Sequence, residues 1–82
     1  MGKRRDKIDI ISEVLEASTN GIRKTQIMSR ISMSFRQVNG YLAFMKDREL
    51  LQERNDGKPL YEPSEKGREF LRRYKEIKKY FA

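Results

Sequence analysis

The chain has 82 residues, with 19 basic and 12 acidic side chains and a net charge of +7. That describes one small domain with a modest core, and it favours a polyanionic partner, nucleic acid ahead of an anionic membrane, over a merely solvated, highly charged surface. The absence of cysteine and histidine excludes disulfides and thiolate chemistry and removes the commonest general base and transition-metal ligand. No apolar run approaches the ~20 residues of a membrane span, and no signal-peptide core follows the basic start. The expectation is a soluble, intracellular protein, cytoplasmic and nucleoid-associated.

Lys3-Arg4-Arg5 forms a basic N-terminal arm. A first helix is expected from about Asp6 to Ala17 or Ser18. Its core face is Ile8, Ile11, Val14, Leu15 and Ser18, with Ile10 beside it, and Asp6 suits the positive end of the dipole. Ser18-Thr19-Asn20-Gly21 stops it. Ile22 and Arg23 are extended, a very short strand at most. Thr25 is then expected to cap a short helix from Gln26 to about Arg30, buried through Ile27, Met28 and Ile31. Ser32-Met33-Ser34 is a tight turn.

The third helix opens with Ser34 as cap and Gln37 placed to reach back to the cap's own amide. At ~100° per residue, Phe35, Val38, Leu42 and Met45 share one side. Arg36, Gly40, Ala43 and Asp47 share the other, with Gln37 and Asn39 on its shoulders. That outer face is small and polar, suited to close approach to another surface. Helix, brief turn, helix is the arrangement whose second helix enters the DNA major groove.

Leu50 to Arg54 alternates weakly, Asn55-Asp56-Gly57-Lys58 is a turn, and Leu60-Tyr61-Glu62 reads as a second strand with Pro59 at its start or on an edge. A hairpin directly after a helix-turn-helix is the wing of a winged-helix domain. Pro63 sharpens the boundary before a final helix capped by Ser64 and running to the C-terminus. Gly67, Phe70, Tyr74, Ile77 and Phe81 are spaced 3, 4, 3, 4 along it, the spacing of a coiled-coil seam. Phe70 and Leu71 are assigned to the core. Tyr74, Ile77 and Phe81 are expected to overhang it and to pair with a second copy. The competing reading folds the helix back along the first, onto Ile10 and Val14.

Lys24-Thr25-Gln26-Ile27-Met28, Ile31 through Val38 with Tyr41-Leu42, and Ser64 through Leu71 together resemble the small archaeal winged-helix DNA-binding proteins and transcriptional regulators. These include the Sulfolobus type that dimerises through a C-terminal antiparallel coiled coil. The resemblance covers nearly the whole chain from the first helix onward. It implies a mainly α fold with a small β-hairpin, a winged helix-turn-helix with a long C-terminal dimerisation helix, binding double-stranded DNA as a homodimer, either as a transcriptional regulator or as an architectural, chromatin-type protein of low sequence specificity. Residues 1–63 would form the winged helix-turn-helix with its basic arm, and 64–82 the C-terminal helix, as one domain. Two residues depart from the family pattern. Gly40 replaces a larger, often basic residue. Glu49 replaces the glycine that ends the third helix, which suggests a different ending or a cap shifted by a residue.

In a major groove, Arg36 is the foremost candidate for a base contact, through bidentate bonds to guanine. Gln37 and Asn39 suit adenine or phosphate, and Gly40 permits close approach to the groove, the competing reading being tight packing between helices. Ser34 with the free amides beside it, and Lys24 and Thr25 at the second helix, suit phosphate. Arg23, Arg30 and Lys46 are weaker candidates. Arg54 and Lys58, flanking the wing turn, are placed to reach the adjacent minor groove or its phosphates. Phe35, Tyr41, Phe44 and Tyr61 read as core and shoulder packing rather than a base-stacking platform.

An enzyme is disfavoured. Asp9, Glu13 and Glu16 sit at helical spacing but read as solvated carboxylates rather than metal ligands, and the glycines form no phosphate loop. No cofactor, small-molecule ligand or membrane contact is expected. A winged-helix surface can also bind proteins, so an interaction module is the remaining rival.

Overall fold

The computed structural model describes residues 6–81. The Lys3-Arg4-Arg5 arm lies outside the described residues. Four helices and one hairpin follow in order: α1 (Lys7–Ala17), α2 (Lys24–Ile31), α3 (Phe35–Asp47), β1 (Leu51–Asn55), β2 (Pro59–Pro63) and α4 (Glu65–Lys79).

The core lies where α1, α2 and α3 meet beneath the hairpin. Leu15, Ile27, Val38 and Met45 are fully enclosed, with Ile11, Val14, Ile31, Leu42, Leu50, Leu51 and Tyr61 around them. Each fully buried aliphatic side chain contributes roughly 1.5–3 kcal/mol. Two apolar residues of the expected core stripes stay outside it: Ile8 is 54% and Phe35 58% exposed. Both lie in the first turn of their helix, where neighbouring elements cover the stripe only in part.

α2 begins two residues earlier than expected. Arg23, not Thr25, is its N-cap, and the Arg23 amide donates to Gln26 Oε1 at 2.9 Å. Thr25 falls inside the first turn. The expectation followed hydroxyl preference at caps, whereas here the reciprocal glutamine at the third helical position sets the boundary. Ser32 closes α2 in the left-handed conformation, φ 58°.

α3 is capped as its sequence implies. Gln37 N donates to Ser34 Oγ at 3.2 Å and Ser34 N to Gln37 Oε1 at 3.0 Å. Its end corrects the expectation raised by Glu49. The ending is an ordinary Schellman turn: Leu50 N donates to Met45 O at 2.8 Å and Glu49 N to Lys46 O at 3.0 Å. Glu49 itself adopts φ 63°, the conformation that glycine takes at such sites. Met45 and Leu50 supply the apolar contact that accompanies the turn, and both are buried.

The antiparallel hairpin pairs Leu51 with Pro63 through Asn55 with Pro59, closed by three residues, with Gly57 at φ 93°. Pro59 starts the second strand, where a missing amide costs no ladder bond. The segment before α2 joins the sheet by one bridge: Ile22 N donates to Tyr61 O at 2.9 Å and Tyr61 N to Ile22 O at 2.8 Å.

Ser64 caps α4 by accepting from Gly67 N at 3.0 Å. Gly67 is where α4 touches the body, since a Cβ there would stand 2.1 Å from the Leu50 carbonyl oxygen. α4 then runs along α1 rather than clear of it. The Tyr74 hydroxyl donates to Asp9, and Lys75 pairs with Glu16 at 2.9 Å. Tyr74, expected to overhang the core, is therefore half-buried against its own chain. Beyond it Ile77, Tyr80 and Phe81 are exposed.

Candidate nucleic-acid interface

α3 presents the face its periodicity implies. Arg36, Gly40, Ala43 and Asp47 are all exposed, and Asn39 is half-buried on the shoulder toward β1. Nothing lies within 4 Å of a Cβ built on Gly40, so close packing between helices does not explain this glycine. Its lack of a side chain widens the open face. Gln37 is exposed, but its Oε1 is already committed to the Ser34 amide, leaving its Nε2 for an outside partner. The bidentate adenine contact requires both amide atoms, so Gln37 must break its cap to make it.

Around this face stand two kinds of anion-binding group. The first is helix amide. Gln26 N and Ile27 N turn inward to Arg23 O, at 3.0 and 3.1 Å, so the Lys24 and Thr25 amides point out of the α2 terminus. At α3, Gln37 N goes to Ser34 Oγ and Val38 N to Ser34 O, which leaves the Phe35 and Arg36 amides at its positive end. The second is cationic side chain. Arg23, Lys24, Thr25 and Lys58 line one cleft with Pro59 and Tyr61, between α2 and the wing. Arg54 stands on the wing's other strand, ion-paired with Glu62 at 3.4 Å.

Three weaker candidates are occupied within the chain. Lys46 pairs with Glu53 at 2.5 Å, which raises its pKa. Arg30 Nη1 donates to Ala17 O at 3.4 Å. Arg23 Nη1 donates to Lys58 O at 2.8 Å and Pro59 O at 3.0 Å. That last pair fastens the N-terminal end of α2 to the outer end of the wing.

The structure also places two cations on the Phe44 ring that were not among the expected contacts. Lys7 Nζ lies 4.0 Å and Arg48 Cζ 4.8 Å from the centroid of the Phe44 ring. Lys7 shares a cleft with Gln37, Gly40, Tyr41 and Phe44. Arg48 is four residues from Phe44, so its position on that flank is readable from helix geometry. Lys7 belongs to another helix and is not.

Three of the α4 cations, Arg72, Arg73 and Lys75, are engaged in ion pairs. Arg72 pairs with Glu69 and Glu76, and Arg73 with Glu69 at 2.6 Å. Arg72, then Arg73, hold the Glu69 carboxyl below its usual range. Ile8, Phe70, Arg73, Tyr74 and Ile77 line an apolar groove between α1 and α4. Thus Phe70, Tyr74 and Ile77 of the expected seam share one surface, joined by Ile8, which had been assigned to the core. Phe81 lies exposed past the helix end.

Asp9 accepts from Tyr74 and from its own cap amide, and Glu16 is paired with Lys75. No group of His, Cys, Asp and Glu able to hold a metal occurs among the described residues. Among the same residues no helix is long and apolar enough to cross a membrane.

None of the curated proteins matches the chain. The family profile described as winged helix-turn-helix matches residues 4–81, and the observed order of three helices, a two-stranded wing and a closing helix is that architecture. The chain therefore belongs to the winged helix-turn-helix family, whose members are typically non-enzymatic DNA-binding proteins.

Proposed function

We propose that this protein is a homodimeric transcriptional regulator that binds double-stranded DNA with α3 in the major groove and the wing along the flanking backbone. The observation that carries the reading is the open outer face of α3, with exposed Arg36 beside side-chain-free Gly40, framed by outward amides at two helix starts. Arg36 reads a base, Asn39 assists it, and Gly40 admits the groove wall. Ser34, Lys24, Thr25, Arg54 and Lys58 hold phosphate, and Gln37 contributes its Nε2. Residues 1–63 supply the reading head and 64–82 the dimerising helix, through Phe70, Tyr74, Ile77 and Phe81. This layout fits the Sulfolobus type of small archaeal regulator and a nucleoid-associated place in the cytoplasm.

One observation favours a second reading. With Gln37 committed to its cap, only Arg36 and Asn39 are free to read bases. An architectural protein of low sequence specificity matches that economy.

Selection from random duplex DNA separates the two readings. A regulator returns a defined site, and Arg36→Ala then loses ~1–3 kcal/mol of preference at one position. An architectural protein returns no consensus, and the same change weakens all duplexes alike. In either case log Kobs falls with log salt at about −0.9 per phosphate neutralised. A chain that binds no duplex at low salt is a protein-interaction module instead.

A further inference from the structure

Phe35 is an exposed phenyl ring at the start of α3, and Phe44 a half-buried one near its end. Each carries cations. Lys24 Nζ lies 5.1 Å from the Phe35 centroid, while Lys7 Nζ and Arg48 Cζ lie 4.0 and 4.8 Å from that of Phe44. Among the described residues none of these three cations pairs with a carboxylate, whereas Lys46, Arg54, Arg72, Arg73 and Lys75 all do. The placement follows from helix geometry. Nine residues at ~100° each put the two rings about half a turn apart. They fall on opposite flanks of the strip Arg36, Gly40, Ala43 and Asp47.

We propose that Phe35 and Phe44 are cation platforms that hold Lys24 on one flank of α3, and Lys7 with Arg48 on the other, poised for the two phosphate backbones bordering one major groove. This rests on the DNA-binding reading and names a clamp within it. The ring is a neutral support with a negative face. It fixes a long flexible cation without neutralising it, so the charge remains available to phosphate. A carboxylate in the same place would fix the side chain equally well but would have to be displaced. Lys7 and Arg48 gathered on one ring repel each other, and a phosphate between them relieves that. A groove about 12 Å wide admits one helix, so cations on its two flanks meet opposite strands.

The test is duplex affinity across a salt series for variants that leave net charge unchanged and for variants that do not. Phe35→Leu and Phe44→Leu are expected to weaken binding about two- to five-fold each on every sequence, while Phe44→Trp retains it. Lys7→Ala and Arg48→Ala should each lower the salt slope by about 0.9. Combining Phe44→Leu with Lys7→Ala should cost less than the sum of the two, because both act through one contact. Leucine variants that bind as the parent does, or alanine variants with an unchanged slope, overturn the clamp while leaving DNA binding intact. A parent chain that binds no duplex overturns the DNA reading itself. Without DNA, the upfield ring-current shift of the Lys7 methylene protons should disappear in Phe44→Leu. A parent spectrum without that shift overturns the platform.

Discussion

Gly40 and Glu49 are each unfavourable to the isolated helix, for opposite reasons. Gly40 is a helix-interior glycine that nothing crowds, so Gly40→Ala should stabilise the free protein by about 0.5–1 kcal/mol in urea unfolding. If the open face is where the groove wall approaches, the same change weakens duplex binding. Stabilisation with unchanged affinity would remove Gly40 from the interface. Glu49 occupies a left-handed position at φ 63°, which costs a residue with a Cβ about 1 kcal/mol or more. Glu49→Gly should therefore raise the urea midpoint by a comparable amount, with no effect on DNA affinity, since the Schellman bonds are backbone bonds. A lowered midpoint would show that the Glu49 side chain contributes something the turn geometry does not.

The wing and α4 are each tied to the body by a small number of polar contacts, and those contacts set where their functional surfaces stand. Arg23 holds the outer wing through the Lys58 and Pro59 carbonyls. Arg23→Ala should leave the fold intact, because the Ile22–Tyr61 bridge is backbone. Amide exchange should quicken at the wing tip, and the loss on Lys58→Ala should shrink in the Arg23→Ala background. Full additivity would mean that Arg23 meets phosphate independently of the wing. For α4, the Tyr74 hydroxyl first and the Asp6 amide second hold the Asp9 carboxyl below its usual range, partly opposed by desolvation. A depressed folded pKa contributes stability that is complete above the unfolded value, about 4, and is lost as pH falls through the folded value. The packing of α4 on α1 should therefore weaken below about pH 4. Tyr74→Phe should lower stability at neutral pH and flatten that acid limb, measured as urea midpoints from about pH 7 to pH 3.

At the scale of the whole molecule, apolar surface is left at one end. Ile8, Ile77, Tyr80 and Phe81 are all more than half exposed, and the first two share a groove with Phe70 and Tyr74. A second copy laid along α4 would cover them and fix the spacing of two reading helices. Sedimentation should find a dimer at micromolar concentration, Ile77→Asp should make it monomeric, and the monomer should bind a palindromic duplex far more weakly. A parent chain already monomeric at that concentration would end the seam proposal. Tyr74 is the least informative probe of the seam, because its loss also cuts the tie to Asp9.

Local rules sufficed where neighbours in sequence are also neighbours in space. The Ser34–Gln37 capping box, the turn at Asn55 to Lys58, the Ser64 cap and the polar outer face of α3 all follow from residues within one turn or one hairpin. The order of those elements was enough to imply the winged architecture. Periodicity misjudged Ile8 and Phe35 because it records which way a residue points, not how completely another element covers that level of the helix. It could not place Lys7 beside Phe44, nor Arg23 beneath the wing carbonyls, since those partners lie 37 and 35 residues apart. Nor could it decide whether Tyr74 overhangs the core. That depended on how closely α4 seats against α1, which Gly67 permits by letting the Leu50 carbonyl approach where any side chain would collide.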